Sequence, residues 1–401
     1  MTLNSYLQQV GDAWEDGRGD LLASLLSLRD PHIMSPKLQA EKADETVEEY
    51  LTSPLSDMVS NHIRALRAFS MAQWTNAFDC QCAVVSSVTK WLQGQRDENW
   101  GLGLMLVACV DLRLTALSAE KEQRQAGAPR KLDFLEKAAE SIMGCFRICA
   151  SDNRSAEEDS KRWGMLALVN QLFKVYFGIN KLHLCRPLIR AIESSTFKDG
   201  FSLGQRVTYR YYTGRKAVFD SDYKLAEEYL TFAFEKCHRE SRKNKRLILI
   251  YLTPVKMLLG YMPRRSVLEK YNLLPFWEVA QAVKVGSAAK LGEAMQKHEA
   301  FFIRCGVYII LQKLEMITFR NLFKRVYGIM QTHQLPISAL LTALRCGGVT
   351  DADEDETQCI VANLISDGRI KGYISHQHQM LVVSKQNAFP KLASVAPTAT
   401  S

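Results

Sequence analysis

The chain has 401 residues, 47% of them hydrophobic, with only 22 Gly and 11 Pro, so most of it is expected to fold into two or three packed units. The opening MTLNSYLQQVGDAWEDGRGD is acidic and polar where a secretory signal needs a basic start and an apolar run. The longest apolar runs, Leu102 to Val110 and Leu247 to Leu252, are shorter than the about 20 residues a bilayer requires, so a soluble intracellular protein is expected.

The net charge of +8 is unevenly placed: residues 1–200 carry a net of −3 and residues 201–401 a net of +11. A basic C-terminal half suggests contact with nucleic acid or with an acidic protein partner.

Pro31, Pro36 and Pro54 punctuate a charged stretch, so residues 29–56 read as connection with a short helix. Residues 156–177 are apolar nearly all round, from Trp163 through Leu168, Leu172 and Phe173 to Phe177, and a helix of that kind is buried on several sides. Gly178 and Asn180 break it, and a second helix runs from Lys181 to Ser194. The arrangement recurs. Helix 204–219 breaks at Asp220–Asp222 before helix 223–238, and helix 242–260 breaks at Gly260 and Pro263 before helix 264–271. With breaks at 179, 221 and 262, the spacings are 42 and 41 residues, the period of a helix-pair solenoid in which each pair hides its apolar face on the next. Small Ala226 and Ala233 let adjacent helices approach closely.

Residues 318–384 read as a terminal module. Thr318 is expected to cap a helix whose inner face is Phe319, Leu322, Phe323 and Val326. A second helix runs from Ile337 to Arg345. Asp353, Glu354, Asp355 and Glu356 then put negative charge on a third helix N-terminus, where the macrodipole favours it. Cys359, Ile360, Val361, Leu364 and Ile365 form its apolar stripe, and Gly368 supplies the left-handed stop. The run IKGYISHQHQMLVVS gives two β-rich segments around a polar tip, His376 to Gln379. Three helices and a two-stranded wing make a winged helix. The expected fold is therefore an all-α helical-repeat solenoid ending in a winged helix with a small β-hairpin. Its divisions are N-terminal repeats at 1–200, then 201–388 with repeats at 201–314 and the winged helix at 315–388, and a disordered tail from Phe389 to Ser401.

No phosphate loop, G-x-G-x-x-G, H-E-x-x-H or G-x-S-x-G motif occurs. The ten cysteines include no C-x-x-C pair and read as buried thiols. His376 and His378 form an H-x-H pair with no Asp or Glu after it, too few ligands to close a coordination sphere, so a solvated turn is expected and neither a metal nor a cofactor. Basic residues offer the remaining chemistry. Arg239, Arg242, Lys243, Lys245 and Arg246 lie between two helices as a solvated connection, a nuclear-import signal or a phosphate contact. Arg320 and Lys324, with Arg325 beside them, are expected on the outer face of the first winged-helix helix, and Arg369, Lys371 and Lys385 flank the wing. Because a recognition helix contacts bases with its N-terminal residues, five acids in six positions from Asp351 to Glu356 argue against sequence-specific DNA reading.

Helical repeats running into a winged helix resemble the PCI family, named for subunits of the proteasome lid, the signalosome and an initiation factor. The segments SAEEDSKRWGMLALVNQLFKVYFGINKLHLCRPLIRAIESS, QRVTYRYYTGRKAVFDSDYKLAEEYLTFAF, KHEAFFIRCGVYIILQKLEMITFRNLFKRVY and GYISHQHQMLVVSKQ resemble its Thp-type export-factor branch. The likeness spans nearly the whole chain and is weakest at 29–56, at 118–131 and in the tail. It implies a non-enzymatic subunit of the transcription-and-export complex 2, which links transcribed genes to nuclear pores. The implied partners are a Sac-type scaffold (the germinal-centre-associated nuclear protein), a small acidic Sem-type protein, RNA without base specificity and, indirectly, the nuclear pore complex. It also implies residence in the nucleus and at the pore. A winged-helix DNA-binding regulator and a subunit of a lid-like or signalosome-like assembly stand as alternatives.

Overall fold

The computed structural model describes residues 2–38, 43–95, 98–125, 133–153 and 156–395. Two compact units, Met1–Tyr209 and Arg210–Ser401, divide the chain. The first holds α1 Leu3–Glu15, α2 Gly19–Leu25, α3 Ala43–Tyr50, α4 Leu55–Ser70, α5 Trp74–Gly94, α6 Leu102–Gln125, α7 Phe134–Ala150, α8 Met165–Gly178 and α9 Cys185–Glu193. From α4 to α9 each helix packs on the next. The unit boundary falls inside α10, Leu203–Phe219.

Helix α8 is buried on several sides, as its composition requires: Leu168, Val169, Leu172 and Phe173 are all shielded from solvent. Its start differs from the expected 156, because Ser160 Oγ accepts a hydrogen bond from the Arg162 amide and starts a 3₁₀ turn at Lys161–Gly164 that precedes the α-helix. Helix α6 is long and apolar enough to cross a membrane by length and composition, more than the run Leu102 to Val110 suggested. It packs instead against α2, α5 and α7. Its buried Asp111 accepts from the Leu28 amide at 2.8 Å and from Arg29 Nε at 2.6 Å.

One buried contact is expected to make this unit sensitive to acid. His62 on α4 is fully enclosed, with its Nε2 3.3 Å from His32 Nε2. Burial, and secondarily His32, push its pKa from 6.5 down to about 3. Burial lowers His32 as well, opposed by Asp30. Between pH 6.5 and 3 the unfolded chain therefore binds a proton at His62 that the folded chain does not, so stability is complete above 6.5 and falls as the pH falls. At pH 5 the loss from His62 is about 2 kcal/mol. Replacing His62 by Leu is expected to flatten the fall in melting temperature between pH 6.5 and 5, read by circular dichroism across that range; an unchanged slope would place the acid sensitivity elsewhere.

The second unit continues with α11 Tyr223–Lys236, α12 Arg242–Leu258, α13 Arg265–Lys270, α14 Pro275–Val285, α15 Ala288–Lys297, α16 Glu299–Cys305 and α17 Tyr308–Gln312. Along the chain, the repeat breaks expected near 179, 221 and 262 coincide with left-handed residues at Asn180, Ser221 and Gly260. Ala226, Leu230 and Ala233 are fully buried in α11, which packs against α12.

The winged helix comprises α18 Glu315–Met330, β1 Gln334–Pro336, α19 Ile337–Cys346, α20 Glu354–Ser366, β2 Gly372–Ser375 and β3 Met380–Val383. Helix α18 begins three residues before Thr318, which does not cap it; the Thr318 hydroxyl is buried and donates to the Leu314 carbonyl at 3.0 Å. Asp353 does cap α20, its Oδ1 accepting from the Glu356 amide at 2.7 Å. Gly368 follows the helix with φ of 68°, as a left-handed stop requires. In α20, Ile360, Val361 and Leu364 face the core, whereas Cys359 is exposed and leaves the expected stripe.

The wing is one strand larger than a hairpin. The sheet is antiparallel in the order β1-β3-β2, with Leu381 of β3 opposite Leu335 on one side and Ile374 on the other. Leu335, Leu381, Val383 and Ile370 join Phe319, Phe323, Leu340, Leu344, Val361 and Leu364 in one core. That core also takes in Ala388 and Phe389, which corrects the expectation of a disordered tail from Phe389. Lys371 N donates to the Ala388 carbonyl at 2.9 Å, and Leu392 lies against Gly260 at the end of α12, so residues 388–395 form a strap along the winged helix. The expected tail beyond Val395 lies outside the described residues.

Candidate nucleic-acid interface

The two predicted basic groups divide by what surrounds each side chain. On α18, Lys324 and Arg325 are exposed. Arg320, one turn before Lys324, is not: it is 5% exposed, its Nη2 donates to the Pro390 carbonyl at 2.6 Å and its Nη1 to Asn321 Oδ1 at 3.0 Å. Its guanidinium lies 5.7 Å from the centre of the Phe389 ring, which itself packs at 5.6 Å on Tyr327. The expected outward face of Arg320 is therefore corrected: the strap covers it, and its charge holds residues 389–390 in place. Arg369 is also drawn inward, its side chain 18% exposed and its Nε 3.4 Å from Asp367 Oδ2.

Lys371 and Lys385 remain exposed at the base of the wing. Ser384 N donates to the Lys371 carbonyl at 2.8 Å, which sets these two lysines on adjoining backbone. Lys324, Arg325, Lys371 and Lys385 are thus the exposed cations among those expected in the winged helix, two on α18 and two beside the wing strands.

The cluster around 242 is not a connection but the start of α12. Arg242, Lys243, Lys245 and Arg246 occupy its first five positions, with no acid in the first turn. Cations at a helix N-terminus oppose the macrodipole and cost about 0.3–1 kcal/mol each in helix stability. Arg239, Arg242 and Lys243 are exposed. Lys245 Nζ donates to the Phe234 carbonyl at 2.9 Å and lies over the Phe234 ring, and Arg246 lies over Phe301. The exposed members point positive charge at solvent from an end of the helix that is already positive.

Gln358 is the residue that periodicity did not single out. Standing on α20, it joins the wing tip: His376 Nδ1 lies 2.8 Å from Gln358 Oε1, and Gln358 Nε2 donates to Gln379 Oε1 at 3.0 Å. Gln379 Nε2 closes the loop by donating to the His376 carbonyl at 3.0 Å. These bonds fasten the tip to the helix that a base-reading protein would insert into a groove. Asp351, Asp353, Glu354, Asp355 and Glu356 are all exposed around its start. Among the described residues no group of three His, Cys, Asp or Glu is placed to hold a metal ion, and all ten cysteines are free thiols.

Paired helices leading into a winged helix of this topology define a PCI-domain protein, and the family model described as PCI domain matches residues 295–385, from the end of α15 to just past β3. Over 99% of both chains the sequence is 54% identical to PCI domain-containing protein 2 of Danio rerio. It is 54% identical to the protein of the same name in Xenopus laevis, over 98% of this chain and 99% of the relative. The PCI domain-containing protein 2 homolog of Drosophila melanogaster is 49% identical, again over 98% and 99%. The chain belongs to the PCI domain-containing protein 2 family.

Proposed function

We propose that this chain is a non-enzymatic adaptor subunit of a nuclear messenger-RNA export complex, the transcription-and-export complex 2, working in the nucleus and at the nuclear pore. In this reading it binds a large Sac-type scaffold, the germinal-centre-associated nuclear protein, and a small acidic Sem-type protein, and it offers RNA a basic surface. Family membership supports the adaptor role.

The observation that carries the RNA surface is the set of exposed cations Lys324, Arg325, Lys371 and Lys385, with Arg242 and Lys243 as a second group. Such side chains neutralise phosphates without reading bases. The fastened wing tip and the acidic start of α20 weigh against a base-reading DNA regulator, because phosphates are repelled where a recognition helix would enter.

Changing Lys324, Arg325, Lys371 and Lys385 together to Glu is expected to weaken binding to unrelated RNAs about equally. It should also flatten the slope of log affinity against log salt by about 3, at roughly 0.7 per phosphate contact on a single strand. The fold survives, because all four side chains stand in solvent. Full affinity with an unchanged slope, in the free chain and in a reconstituted complex, would assign the RNA contact to the partners.

A further inference from the structure

The wing turns one aromatic ring to solvent: Tyr373 of β2 is 62% exposed. The strand register explains why. Ile374 stands opposite the buried Leu381 and packs on the core, so Tyr373, opposite Val382, is on the outer face. Gln334 of β1 flanks Val382 on its other side, which makes Gln334, Val382 and Tyr373 one row across the sheet. The bond from Ser384 N to the Lys371 carbonyl, 2.8 Å, carries the same register one step beyond β2. Lys371 therefore shares the outer face with Tyr373, about 7 Å away at two residues' rise along a strand. Lys371 is itself exposed, and so is Lys385, which follows Ser384. The surface is of one sign: residues 331–336 and 368–395, which supply all three strands and the chain after them, contain no Asp or Glu. The hairpin that presents the ring is held in place, because Gln358 bonds to both His376 and Gln379 at its tip.

We propose that Tyr373 stacks on an unpaired base of single-stranded RNA, with Lys371 and Lys385 on the adjoining phosphates. Every base has a π-face, so such a contact tolerates any sequence; in a duplex those faces are covered by the neighbouring pairs. A ring on a fastened strand loses little freedom on binding. The lysines and the missing carboxylates favour a polyanion over an apolar protein surface as the occupant. The inference rests on the RNA reading above and adds to it the form of RNA that the wing takes: single strands over duplexes, without choice of base.

The test compares three probes on the full chain and on the reconstituted complex: an unstructured RNA oligomer of mixed sequence, its duplex with the complementary strand, and inorganic polyphosphate as a polyanion without bases. Tyr373→Ala is expected to weaken binding of the single strand about tenfold and to leave the other two probes unchanged. The slope of log affinity against log salt should stay as it is, because no charge is removed. Tyr373→Trp, which keeps a π-face, should bind the single strand at least as well as the wild type, and Tyr373→Leu, apolar without one, should behave as the Ala variant. Lys371→Gln should instead weaken all three probes and flatten the slope. Wild-type affinity of Tyr373→Ala for the single strand, or an equal loss on all three probes, overturns the stacking contact and leaves the RNA reading standing. A wild-type chain that binds no RNA in either setting overturns both. Loss of protein partners from Tyr373→Ala with RNA affinity intact would make this face a protein contact and also overturn the proposal.

Discussion

Replacing Leu381 by Asp is expected to unfold the winged helix. Leu381 is fully buried at the centre of the three-stranded sheet, between Leu335 and Ile374, and its side chain lies in the same core as Phe323 and Leu364. A carboxylate there has no partner, and burying it costs several kcal/mol, on the order of a domain's whole stability of about 5–15 kcal/mol. The variant should lose cooperative melting of the second unit and fail to assemble with partners, measured by circular dichroism and gel filtration. A chain that melts as the wild type does would mean that β3 is not the central strand.

The second large effect is expected at the joint between the helical repeats and the winged helix. Gly286 ends α14 with φ of 77°, and a Cβ built on it would stand 2.7 Å from the backbone nitrogen of Leu322 on α18. Next to it, Asn321 Nδ2 donates to the Val283 carbonyl at 2.8 Å, so the two helices are fastened at this point and cannot drift apart to make room. Val at this position suffers both the left-handed conformation and a clash with main chain, together about 3 kcal/mol or more. For a unit of this size that lowers the melting temperature by roughly 6–12 °C. Gly286→Ala, without the β-branch, should fall between. Wild-type melting of both variants would show that α14 and α18 are less closely joined than this contact indicates.

Where local chemistry determines an element, the sequence was sufficient to find it. The repeat breaks follow from Asn180 and Gly260, residues that suit a left-handed turn, and from the polar run Asp220–Asp222, and the start of α20 follows from one capping acid, Asp353. What escaped depends on partners far along the chain. Strand β1 is three residues long and ends in Pro336, so no alternation exists to read; it becomes a strand only by pairing with Met380–Val382. Arg320 reads as outward on a helical wheel because the strap that buries it arrives 70 residues later, with Phe389 and Pro390. Gln358 is an ordinary polar residue until the wing tip folds back upon it. The exposed candidates Lys324, Arg325, Lys371 and Lys385 were legible as residues.

The central claim, that this chain is an adaptor of an RNA-export assembly, is tested most directly by purifying the tagged full-length protein from cells at near-physiological salt and identifying by mass spectrometry what comes with it in stoichiometric amount. The account predicts one large scaffold of the Sac type and one small, strongly acidic protein, both lost when Leu381→Asp is used as bait. Recovery of proteasome-lid or signalosome subunits in their place, or of the chain alone, would contradict it.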